Sequence, residues 1–77
     1  MDRDTYKTKN LNLAAYLYAS GLKLLNTTRE HKEFFFEFPY EDSKKLVDKY
    51  FSDTATVNPR ELFARLNALR DLIFSNK

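Results

Sequence analysis

The chain contains no cysteine and no tryptophan, one glycine, one histidine and two prolines. Without cysteine it can form no disulfide, offers no thiol nucleophile and builds no thiolate metal site. His31, the sole histidine, would need carboxylates or a second copy to hold a metal, and it falls in a segment that reads as a solvated turn. A single glycine cannot line a phosphate-binding loop or a dinucleotide fingerprint. No apolar run approaches the ~20 residues that span a bilayer, and Met1–Asn10 is polar rather than leader-like. Neither sign of charge dominates. With 13 basic and 11 acidic residues the net charge is +2, well short of the footprint of a dedicated nucleic-acid binder. These absences point to a soluble, cytoplasmic domain with no membrane segment, no cofactor, no metal and no catalytic residue.

What remains is aromatic. Seven Phe and five Tyr in 77 residues give a chain of this size the large side chains it needs, because one domain of this length is near the limit at which a single core suffices. Residues 1–7 (MDRDTYK) lack periodicity and read as an N-terminal arm preceding a single domain over 8–77. A first helix is expected from about Thr8–Asn10 to the residue before Gly21, with Leu13, Ala14, Leu17 and Tyr18 on its core side and Asn12 and Tyr16 opposite. Leu22–Phe38 alternates in two runs around a polar break at Glu30–Lys32, the pattern of a β-hairpin. One face of that hairpin would carry Leu22, Leu24, Phe34, Phe36 and Phe38; the other would carry Leu25 and Phe35 among charges. A second helix over about Glu41–Phe51, capped by Asp42 or Ser43, would bury Leu46, Val47, Tyr50 and Phe51. Ala55–Val57 could add a short strand. In VNPRELF, Asn58 caps, Pro59 opens the helix, Glu61 stands at the capping-box position, and Val57 and Leu62 form a hydrophobic staple. A third helix then runs to about Ser75. The expected fold is α+β, a small antiparallel hairpin under three helices in the order α-β-β-α-(β)-α.

These segments together carry a resemblance. Tyr6-x-Thr8, LNLAAYLYASG followed by LKLL, the aromatic strand FFFEF, the helix ending KYF, and VNPRELFARLNALRDLIF resemble an uncharacterised family of small proteins from low-GC Gram-positive bacteria and their phages. The likeness covers about residues 5–75 and contains no catalytic signature. It implies no activity and transfers no functional residue. By association it implies a small regulator, or an inhibitor of a host defence protein, with a host macromolecule as partner.

Three groups of residues are candidates for contact. Arg60, Phe63, Asn67, Arg70 and Phe74 share one side of the third helix, beside its core stripe, and could anchor a protein or stack on bases. Against that, a short chain gains most if Phe63 and Phe74 widen the core while the arginines lie over them. Leu25 and Phe35, if neighbours, form an apolar island that a symmetric dimer could cover. Tyr16 and Arg70 could line a dimer cleft that sequesters a nucleotide. Arg3 and the lysines Lys7, Lys9, Lys23, Lys44, Lys45 and Lys49, interrupted by acidic residues, read as a solvated face. The expectation is a non-catalytic binding module with a protein partner, self-associating, with nucleic-acid binding through helix three and the basic arm as the alternative.

Overall fold

A computed structural model describes residues 5–52 and 56–75. Its elements are β1 (Thr5–Thr8), α1 (Leu11–Ala19), β2 (Asn26–Glu30), β3 (Glu33–Pro39), α2 (Tyr40–Phe51) and α3 (Pro59–Ser75). The three strands form an antiparallel sheet in the order β1-β3-β2, so the phenylalanine strand is central and the fold is α+β.

Each boundary has a local cause. Asn10 caps α1 by accepting the Leu13 N–H at 3.1 Å, and the Thr8 hydroxyl accepts the Asn10 N–H at 3.1 Å. At the other end Gly21 takes φ +102°, which a side chain would disfavour. Its N–H donates to the Tyr18 carbonyl and the Leu22 N–H to that of Leu17, the paired bonds of a Schellman ending. For α3, the Asn58 side chain accepts the Arg60 N–H at 2.8 Å, and the Asn58 carbonyl accepts from Leu62. Val57 and Leu62, the staple pair, both pack against the core. α2 begins directly after the strand at Pro39 without a side-chain cap, so Asp42 and Ser43 do not serve as its cap. Glu41 and Asp42 instead place negative charge in its first turn, where the helix dipole favours it.

The core lies between α1 and the sheet. Phe36 and Phe38 are buried, and Phe34 is half-buried with its ring edge-on to Phe36 at 5.3 Å. Leu13, Ala14, Ala15, Tyr16 and Leu17 are buried in succession, so α1 is covered on all sides over that stretch. α3 packs chiefly on α1 and contributes Leu69 to the core, while α2 lies on β1, β3 and α1.

The structure departs from the expected elements in other places too. Thr5–Lys7 is an edge strand rather than an arm, with Tyr6 opposite Phe38 and Thr8 opposite Phe36; residues 1–4 lie outside the described residues. The first hairpin strand starts at Asn26, not Leu22. The reversal at Gly21 turns Leu22 and Leu24 onto the core without a strand, and the first sheet-like bond is Leu25 N–H to the Glu37 carbonyl at 2.8 Å. No strand forms at Thr56–Val57, and Ala55 lies outside the described residues. Phe51 is 70% exposed rather than buried, because α2 ends there and Tyr50 takes the inward position.

The stripe that α2 buries is Ser43, Leu46, Val47 and Tyr50, at helical spacing. Ser43 is fully buried and its hydroxyl has no hydrogen-bond partner, which leaves a desolvated polar atom at a small-residue position. Ser43→Ala removes that atom without opening a cavity and is also the better helix former. The expected result is a gain of about 1 kcal/mol in urea unfolding, whereas a loss of stability would show that the hydroxyl is satisfied.

Candidate functional site

The outer face of the sheet shows how the protein manages a phenylalanine among charges. Phe35 faces away from the core and pairs with Thr28 on β2. The Lys7 ammonium lies 4.9 Å above the centre of its ring and also bonds the Glu30 carboxylate at 2.9 Å. Lys7 from one edge strand and Glu30 from the other thus meet across β3, over the ring. Lys9 pairs with Glu33 at 2.6 Å and the Thr28 hydroxyl donates to Glu37 at 3.1 Å. Phe35 is half-buried under this polar strap. Leu25 stands opposite the Glu37–Phe38 end of β3 rather than beside Phe35, so the two form no joint island; it is 46% exposed.

The third helix presents a different surface. Phe63 is 65% and Phe74 75% exposed, and Arg60, Asn67 and Arg70 are exposed beside them. The expectation that the two rings widen the core is therefore overturned. α3 meets the core through Leu62, Leu66, Leu69 and Ile73, and Arg65 lies over the Tyr18 ring at 4.6 Å, so the side carrying Phe63 and Phe74 is turned towards water.

Between α1, α3 and the end of α2 lies a partly open, largely apolar cleft of about 340 Å³ lined by Ala15, Tyr16, Tyr50, Leu62, Phe63 and Leu66. Tyr16, expected on the solvent side of α1, is 3% exposed with its ring 5.4 Å from that of Tyr50, because α2 and α3 close over the side of α1 that reads as polar. It belongs to the cleft floor rather than to an open polar surface. Phe51, next to the cleft in sequence and edge-on to Tyr50 at 5.3 Å, is an exposed ring that the sequence assigned to the core. The available signal was its place as the last residue of α2, at the edge of the stripe, where it had least to pack on.

Among the described residues, no three His, Cys, Asp or Glu side chains converge as a metal site would require. His31 lies exposed in the two-residue turn between β2 and β3. Among the same residues, no helix is long and apolar enough to cross a membrane.

The strap over Phe35 makes a specific prediction. Lys7→Ala uncovers an aromatic ring and should cost about 1 kcal/mol in chemical unfolding. Lys9→Ala removes only an exposed ion pair and should cost less than about 0.5 kcal/mol. Equal losses would mean that Lys7 acts on Glu30 alone.

No curated protein and no solved structure matches this chain. A family model described as Domain of unknown function (DUF5659) matches residues 3–75, nearly the whole of it. The strap over the sheet, the buried α1 and the aromatic α3 all fall within that span, and the chain belongs to this domain family.

Proposed function

We propose that the protein is a small non-catalytic binding module that acts by occupying a protein surface, with the aromatic side of α3 and the mouth of the adjoining cleft as its interface. The observation that carries this reading is the exposure of Phe51, Phe63 and Phe74 at 70%, 65% and 75%. Each ring, left mostly in water, forgoes about 1–2 kcal/mol of burial. Set against the roughly 5–15 kcal/mol that stabilises a small domain, three such rings need a use. Aromatic and arginine side chains around a desolvated cleft are the composition of interface hot spots.

By the resemblance to domains of Gram-positive bacteria and their phages, the partner we propose is a host macromolecule met in the cytoplasm, and inhibition of a defence protein is one role such a module could fill. The nucleic-acid alternative has less support, since Lys7 and Lys9 are held by Glu30 and Glu33. The small cleft with its apolar lining likewise suits a side-chain anchor better than a charged nucleotide.

The test is capture of a partner by the intact protein, its purification, and titration against Phe63→Ser and Phe51→Ser. Both residues are exposed, so the variants should keep the far-ultraviolet dichroism of the parent. Phe63→Ser is expected to weaken the complex at least about tenfold. Unchanged affinity in both variants, or retention of duplex DNA at about 50 mM salt with no protein captured, would contradict the reading.

A further inference from the structure

The exposed side of α3 has a symmetry that its exposure alone does not require. Phe63, Asn67, Arg70 and Phe74 are separated by four, three and four residues. This is the spacing of a helix-pairing seam, and all four positions are exposed along a helix of 17 residues, about 25 Å long. The spacing reads the same in both directions. Phe63 and Phe74 stand at equal distances from the centre of the seam, and so do Asn67 and Arg70.

A two-fold interface requires that if residue i touches residue j of the mate, then j touches i of the first copy. We infer that α3 pairs antiparallel with α3 of a second copy of this chain, with Phe63 against Phe74 and Asn67 against Arg70, each contact made twice. This rests on the reading of the aromatic side of α3 as a protein interface, which the second copy covers when the host partner is absent.

Charge selects the direction. Parallel, in-register pairing would set Arg70 opposite Arg70 and leave the two guanidinium groups repelling each other. In the antiparallel arrangement Arg70 meets the amide oxygen of Asn67, an acceptor suited to its N–H groups. The cleft agrees with this direction. Phe63 lines it together with the half-buried Leu66, so Phe74 of the second copy, set against Phe63, arrives at the cleft mouth and contributes a residue to it.

The area available sets the strength. An aromatic side chain buries about 150–250 Å², so the four largely exposed rings supply roughly 500 Å² between them. With the flanking side chains, the total falls near the lower limit of about 1,200 Å² for stable interfaces. The pairing is therefore a reversible, concentration-dependent one, in the micromolar range.

Sedimentation velocity of the intact protein from about 1 µM to about 1 mM reads this directly. The parent should pass from monomer to dimer within that range. Asn67→Asp puts a carboxylate opposite Arg70 and should lower the midpoint about tenfold, while Asn67→Arg should raise it at least as much. Asn67→Arg combined with Arg70→Asp should restore dimerisation. Position 67 is exposed, and unchanged dichroism would show that the variants fold. A dimer whose midpoint ignores position 67, or one lost on Phe35→Ser instead, would overturn the pairing. A parent that stays monomeric throughout would also overturn it. In that case, sensitivity of a heterologous complex to Phe63→Ser would show the interface reading standing without the self-pairing, and insensitivity would show both to have failed.

Discussion

The structure depends on the burial of α1 from every direction. Five successive residues, Leu13–Leu17, are removed from water, which a helix on the surface of a two-layer fold cannot achieve with only one apolar stripe. The sheet covers one side with Phe36 and Phe38, α3 covers another with Leu62, Leu66 and Leu69, and α2 closes part of the remainder with Tyr50 against Tyr16. The small side chains Ala14 and Ala15 are what allow neighbours to approach on sides that a larger residue would hold apart. In a chain with no cysteine to cross-link it, this shared helix is what joins the sheet to α3.

The surfaces left over follow from that arrangement. α3 is long, and it needs only one stripe to cover α1. Phe63 and Phe74 fall outside that stripe and keep most of their area in water. The sheet disposes of its own outward ring differently, with a cation above Phe35 and a carboxylate holding that cation from the far strand. The ring on the sheet is half-buried while those on α3 are largely exposed, and the proposal of a contact surface on α3 rather than on the sheet rests on that difference.

Much of this was legible in the sequence where local chemistry decides the outcome. Asn58-Pro59 and its staple marked the start of α3, Gly21 marked the end of α1, and the alternation of Phe34, Phe36 and Phe38 marked the buried face of β3. Tertiary context decided the rest. The segment TYKT is too short to announce a strand: Tyr6 is its one large apolar residue, and it becomes β1 only because β3 offers an open edge. Tyr16 reads as solvent-facing when α1 is considered alone, since no local signal reveals that α3 will lie on that side. The turn between β2 and β3 has no Asn-Gly or Asp-Gly to announce its type. His31 and Lys32 take φ of 50° and 72°, the left-handed pair that Asn-Gly would normally supply, so the register is set by the flanking strands more than by the turn residues. For the candidate site, Phe63, Asn67, Arg70 and Phe74 could be grouped from spacing alone, but whether their side of the helix was inside or outside depended on how wide a stripe α1 would accept.

Native-state hydrogen exchange tests the hub directly, because it reads the opening free energy of each element separately. If α1 joins the two halves, the amides of Leu13–Leu17 should be the slowest to exchange and should open only with global unfolding, with α3 released at a lower free energy than α1. Exchange of α1 before β3, or protection of α3 that outlasts that of α1, would contradict the account.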